Sequence, residues 1–334
     1  MSDIIQDLSQ PGTHPDPTVH VAVVQTHISI VFIADTFVYK IKKPVNFGFL
    51  DFSTLEKRKY FCHREVELNR RLTRDLYLGV LPVTLQGTTH TLCDPNGKAV
   101  EYAVKMRRIP DDQLMKSLFA RNEITDTHLR RIAEVLARFH ASAARSPEID
   151  AFGAPERFKV NTDENFDQVS DYVGTTISKE EFQGLKDWTE DFYQSHGPFF
   201  LERIANGRIR DCHGDLHMEH ICLTEDLPIF DCIEFNDRFR YGDTIADIAF
   251  LLMDLEFHGG ADLARMLWKA YQELAHEEAA DALLTFYKTY RAFVRGKVHG
   301  FQLSDAAIGE QEKERAIQTA RRYFQLACSY IGIC

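Results

Sequence analysis

Two short stretches hold most of the residues able to do chemistry: Asp211-Cys-His-Gly-Asp-Leu-His-Met-Glu-His220 and, a few positions on, Pro228-Ile-Phe-Asp-Cys-Ile-Glu-Phe-Asn-Asp237. Apolar segments 221–223 and 227–230 lie between them, joined by Thr224-Glu-Asp226, and the alternation reads as a hairpin. Such a hairpin holds Asp215 at one end and Asp231 at the other, facing one cleft. Phosphoryl transfer needs an aspartate to orient the accepting hydroxyl, a metal ligand five residues on and a second acid on the next strand. Asp215, His220 and Asp231 occupy those places, and Glu234 adds a carboxylate for metal.

The elements that would position these groups follow from periodicity. After a lead-in over 1–18, read as extended from Pro11-Gly-Thr-His-Pro-Asp-Pro17, the runs 20–25, 28–33 and 36–41 are rich in Val, Ile, Phe and Thr and read as strands. The third carries Lys40, and Lys42 shares its strand face, so either can serve as the basic group. Ser53-x-x-Glu56 reads as a capping box opening a helix to about residue 72. Phe61, Glu65, Leu68 and Leu72 share one face of it, which puts an acid on an apolar stripe. Leaving that carboxylate unpaired would cost on the order of several kcal/mol, and Lys40 is its natural partner. Runs 80–85, 88–93 and 100–106 continue the sheet, with Pro95-Asn-Gly97 as a hairpin turn. Segment 106–110 breaks the pattern and reads as a hinge. Beyond it, 126–144 is a helix with Leu129, Ile132, Leu136 and Phe139 as its core stripe, 147–155 a loop, and 163–206 helical. Segments 244–257, 261–276, 279–295 and 306–330 complete a helical remainder. The class is α+β, with lobes at 1–107 and 108–334.

Three separated motifs, His213-Gly-Asp-Leu-His-Met-Glu-His-Ile221, Phe230-Asp-Cys232 and Asp243-Thr-Ile-Ala-Asp247, resemble the aminoglycoside phosphotransferase and choline kinase group of protein-kinase-like enzymes. The run 39–58, together with 231–238, is similar to an uncharacterised bacterial branch often fused to a P-loop ATPase domain. No Gly-x-x-x-x-Gly-Lys-Ser/Thr run occurs in the chain, so such an ATPase is expected as a separate partner. The resemblance implies a protein-kinase-like two-lobed fold: a small antiparallel sheet with one long helix, then a larger, mainly helical lobe holding the catalytic loop and substrate site. It implies ATP-dependent transfer to a hydroxyl of a small molecule, with Mg2+ or Mn2+. Lys40, or Lys42, and Glu65 would hold the phosphates, Asp231 the metal and Asp215 the acceptor. The hinge backbone at Met106 and Arg108 would read the adenine edge. Thr26-His27 stands where kinases carry a glycine-rich loop, so phosphates would meet backbone NH groups and the Thr26 or Ser29 hydroxyl. His220 stands where the family has Asn. Because imidazole suits magnesium poorly, the expected outcomes are metal held chiefly by Asp231 with Glu234, tolerance of manganese, or reduced activity. His213 and Asp247 are expected as internal supports, with His217 alongside them.

Composition narrows the alternatives. At 334 residues, 44% hydrophobic and 27% charged, the chain is an ordinary globular protein with room for two cores. A net charge of −11 argues against nucleic-acid binding and would suit a cationic substrate. No basic-then-apolar leader opens the chain, and the apolar segment 245–255 is short and interrupted by Asp247 and Asp254, so a cytoplasmic protein that does not span a membrane is expected. Seven cysteines without Cys-x-x-Cys fit reduced thiols. Rival readings are a metal-dependent phosphohydrolase using His213, Asp215, His217 and His220 with Asp231, a zinc site at Cys212, Cys222 and Cys232, and a non-catalytic ATP-binding regulator.

Overall fold

The computed structural model describes residues 1–278, 280–304 and 308–333, the side chain of Ser2 apart. Met1–Ile124 with Glu219–Asp237 form one compact unit, and Thr125–Met218 with Arg238–Cys334 form the other. The segment carrying His220 and Asp231, placed with the helical lobe on sequence grounds, thus packs with the first unit.

That unit contains α1 (Ser2–Leu8), β1 (Ala22–Gln25), β2 (Ser29–Ile33), β3 (Phe37–Lys42), α2 (Leu55–Asn69), β4 (Tyr77–Gln86), β5 (Thr89–Thr91), β6 (Ala99–Arg107) and α3 (Met115–Ala120). The strands form one antiparallel sheet in the order β1-β2-β3-β6-β4-β5. Strand alternation splits its residues between two cores. Ile30, Phe32, Tyr39 and Ile41 pack with Ile4 and Leu8 of α1, while Tyr77 and Val104 pack with Cys62 and Val66 of α2. Lys40 and Lys42, alternating with Tyr39 and Ile41, therefore face α2.

Three expectations for this unit need correction. The lead-in is not wholly extended: residues 2–8 are helical because Ile4 and Leu8 can bury against the sheet. The turn at 94–97 does not join a hairpin, since β5 and β6 each pair with β4 and lie on opposite sides of it. The cap of α2 is Thr54, whose hydroxyl accepts from the Lys57 amide, because Ser53 is engaged through its amide and hydroxyl with Asp51 Oδ1. The hairpin expected at 221–230 is present, without an extended ladder. It is held by the antiparallel bridge between Ile221 and Ile229, by the Cys222 amide on the Pro228 carbonyl at 3.0 Å and by the Phe230 amide on the His220 carbonyl at 2.9 Å.

The second unit holds α4 (Asp126–Ser142), α5 (Pro147–Asp150), α6 (Pro155–Val169), α7 (Lys179–Ala205), β7 (Ile209–Asp211), β8 (Tyr241–Asp243), α9 (Thr244–Phe257), α10 (Ala261–Ala275), α11 (Asp281–Phe301) and α12 (Glu310–Ile331). The expected starts of the last two helices, residues 279 and 306, lie outside the described residues. Residues 147–150 are helical rather than loop, since Ser146 caps the Ile149 amide and Pro147 presets the first turn. The α4 stripe Leu129, Ile132, Leu136 and Phe139 is buried as its spacing requires. Two aromatic cores fill the unit, one around Phe158, Phe192, Phe200 and Phe286, the other around Phe166, Phe293, Tyr323 and Phe324. Among the described residues no helix is long and apolar enough to cross a membrane.

Candidate active site

The first unit builds a buried chain of charges. Glu65 is fully buried on the inner face of α2 and divides its oxygens between the two lysines of β3: Oε1 lies 2.9 Å from Lys40 Nζ and Oε2 2.7 Å from Lys42 Nζ. Lys40 continues to Asp231 Oδ1 at 2.6 Å, and Lys42 to Glu234 Oε1. Burial opposes every charge here, but Asp231 and Glu65 outweigh it at Lys40 and hold that ammonium protonated. At Glu65 burial is likewise outweighed by Lys40 and Lys42, so its carboxyl falls below the usual range. At Glu234 burial wins over Lys42 and the carboxyl is pushed up.

Asp231 ends this chain with its side chain 38% exposed and its backbone in the left-handed region at φ 61°. Neighbours from three elements hold that conformation. The Asp231 amide donates to the Tyr77 hydroxyl at 3.3 Å, the Cys232 amide to Asn69 Oδ1 at 2.9 Å, and the Phe230 amide to the His220 carbonyl at 2.9 Å. Asn69 in turn donates to the Glu65 carbonyl at 2.8 Å, so one turn of α2 fixes both the acid and the loop. His220 Nε2 stands 3.5 Å from Asp231 Oδ2. Oxygen of an exposed carboxylate fits a small hard cation, whereas imidazole fits a softer one. At the end of β6, Met106 packs with the α2-side core. The Arg108 amide donates to the Thr36 carbonyl at 2.9 Å, which ties the strand end to the β2–β3 connection.

The second unit carries Asp215, its side chain 34% exposed, on a segment fixed from beneath. Asp247, buried in the first turn of α9, accepts from the His213 amide at 2.9 Å, the Gly214 amide at 2.8 Å and His140 Nε2 at 3.1 Å. These donors outweigh burial and hold its carboxyl far below the usual range. Gly214 has φ 88°, and its carbonyl accepts from Arg291 at 3.0 Å. Asp254, about two turns further along the same face of α9, accepts from the Met218 amide at 3.0 Å. His217 Nε2 lies 3.5 Å from Asp215 Oδ2. Burial disfavours the imidazolium, but that carboxylate outweighs it and the His217 pKa is raised.

Within the first unit, Lys40, Lys42, Glu65, Asp231, Glu234 and His220 are thus brought together; within the second, Asp215, His213, His217 and Asp247. Several members escaped the sequence reading. Asn69 and Tyr77 show no pattern beyond helix and strand, and His140 looks like the end of a stripe. Asp254 did carry a signal, an acid interrupting an apolar helix.

The chain matches the phosphotransferase enzyme family over residues 56–283. It is 36% identical over 308 residues to uncharacterised proteins of Mycobacterium tuberculosis and Mycobacterium bovis, spanning 92% of its own length but 59% of theirs. Solved structures with the same fold include an amicoumacin kinase (TM-score 0.54, 11% identity, 95% of this chain and 89% of that one). Others are an aminoglycoside 2'-phosphotransferase (0.52, 14%, 92% and 93%) and a choline/ethanolamine kinase family protein of Mesorhizobium loti (0.51, 14%, 95% and 94%). With the lysine–glutamate–aspartate chain on one kinase-like unit and the braced His-Gly-Asp segment on the other, this chain belongs to the phosphotransferase enzyme family of the aminoglycoside phosphotransferase and choline kinase type.

Proposed function

We propose that the protein transfers the γ-phosphoryl group of ATP to a hydroxyl of a small molecule. The observation that carries this reading is Lys40, one ammonium shared by a helix acid and a loop acid, Glu65 at 2.9 Å and Asp231 at 2.6 Å. That trio presents a positive charge to phosphate oxygens and a carboxylate to the metal that accompanies them. Lys40 would hold the α and β phosphates, Glu65 would keep it aimed, and 106–108 would read the adenine edge. Asp231 would hold Mg2+, with His220 beside it favouring Mn2+. The bound metal would neutralise charge developing on the phosphates. Asp215 would orient the acceptor hydroxyl and take its proton. Proteins sharing the fold support the nucleotide, since the aminoglycoside 2'-phosphotransferase was solved with GDP and the amicoumacin kinase with AMP-PNP and Ca2+. A P-loop ATPase partner is part of the same reading, through the branch that residues 39–58 and 231–238 resemble.

A thermal-shift measurement with ATP and Mg2+ or Mn2+, followed by a hydroxyl-compound panel scored by ATP consumption, tests the reading. Asp215→Ala should lower turnover by about 10²-fold or more while ATP still binds. Equal turnover in the variant would remove Asp215 from its role. A second reading, a nucleotide-binding regulator, draws on His220 alone. It predicts ATP binding with no phosphorylated product from any acceptor.

A further inference from the structure

Two buried ions have no part in the chemistry just described. Lys42 is 1% exposed, so its ammonium cannot meet a nucleotide, whereas Lys40 is 14% exposed at the open end of the same strand face. Glu234 is almost equally enclosed, with its Oε1 on Lys42. Phe52, itself fully buried, closes over the lysine with its ring centroid 4.8 Å from Nζ.

Stability does not explain such a pair. Burying two ions costs about what their attraction returns, and an apolar pair of similar volume serves packing as well. What the pair does supply is a fixed point. Residues 231–234 leave Asp231 in a left-handed conformation that costs a non-glycine residue about 1 kcal/mol or more. Upstream, the segment is tied through Phe230, Asp231 and Cys232 to the His220 carbonyl, Tyr77 and Asn69. Downstream, its side-chain ties include Glu234 on Lys42, Asn236 Nδ2 on the Phe49 carbonyl at 2.9 Å and the Phe235 ring against Phe49. Lys42 also holds Glu65 Oε2, which leaves Oε1 directed at Lys40.

We propose that Lys42 and Glu234 are a positioning pair that anchors the loop bearing Asp231 to β3 and α2, setting the affinity of that aspartate for its metal without touching nucleotide or metal. The proposal rests on the reading of Asp231 as the metal-binding acid. It places Glu234, expected among the metal ligands, one step behind them. Groups of this kind set metal affinity by fixing the direction of the ligand they support.

The test measures ATP affinity without metal and then the Mn2+ concentration that half-saturates the ATP complex, for the wild-type chain, Lys42→Met, Lys42→Arg and Glu234→Gln. Lys42→Met and Glu234→Gln should raise the half-saturating Mn2+ concentration about 10- to 100-fold while metal-free ATP affinity stays within about twofold, and Lys42→Arg should recover most of the loss. In an Asp231→Asn background, Lys42→Met should add nothing. Equal loss of ATP affinity with and without Mn2+ would reduce the pair to a structural role and overturn the proposal, as would no loss at all. Glu234→Gln, close in shape, decides the matter if Lys42→Met does not fold. A wild-type chain that binds no ATP with Mn2+ would instead sink the phosphotransferase reading beneath.

Discussion

Asp247 is the residue on which the His-Gly-Asp segment hangs, because two backbone amides and one imidazole converge on its buried carboxylate. Replacing it by alanine strands those donors, and Asp247→Ala should lose about 3 kcal/mol in urea unfolding. Its folded pKa lies below the unfolded value of about 3.9, so its stabilisation is complete above that pH and drains away as pH falls through the depressed value. The wild-type unfolding midpoint should therefore drop more steeply below about pH 4 than that of Asp247→Asn. His217 has the opposite sign. Its pKa is raised by Asp215, so the attraction is fully present below about pH 6.5 and is lost as pH rises through the raised value. An NMR titration of the His217 ring should move to lower pH in Asp215→Asn, and an unchanged curve would show the two groups to be uncoupled.

At the scale of elements, α2 matters most, because it delivers Glu65 and Asn69 to β3 and to the Asp231 loop at once. Its start is set by Thr54, one residue beyond the serine that the sequence pattern favours. Thr54→Ala should cost about 1 kcal/mol by urea unfolding, while Ser53→Ala, which removes an exposed hydroxyl bonded to Asp51, should stay within about 0.5 kcal/mol. In the second unit, α11 and α12 approach closely at Gly296, where an added methyl would lie 2.8 Å from the Phe324 ring. Gly296→Ala should therefore destabilise by about 1–3 kcal/mol despite its better helix propensity. A neutral or stabilising result would mean that Phe324 can give way.

For the whole molecule, the order of the chain and the order of packing differ. The first unit is interrupted after residue 124 and completed only by Glu219–Asp237. That late segment supplies Glu234 to Lys42, the Ile221 carbonyl to the Met115 amide at 2.8 Å and the Leu223 amide to the Gln113 carbonyl at 2.8 Å. A fragment of residues 1–124 would leave the Lys42 ammonium buried beside Glu65 alone. It should lack a cooperative thermal transition, and a sharp melt from that fragment would show the unit to be complete without its returning segment.

Local chemistry was legible in the residues themselves. Alternation along β3 put Lys40 and Lys42 on one face and helical spacing put Glu65 on the inner stripe of α2, because each depends only on neighbours along the chain. Choices between equivalent partners were not legible. That Lys42 goes to Glu234 while Lys40 goes to Asp231, that β4 inserts between β5 and β6, and that Ile4 and Leu8 turn a lead-in into a helix are settled by which surfaces close over which. Burial makes those pairings selective, since an ion or an apolar face without its partner there carries a cost that no local preference can offset.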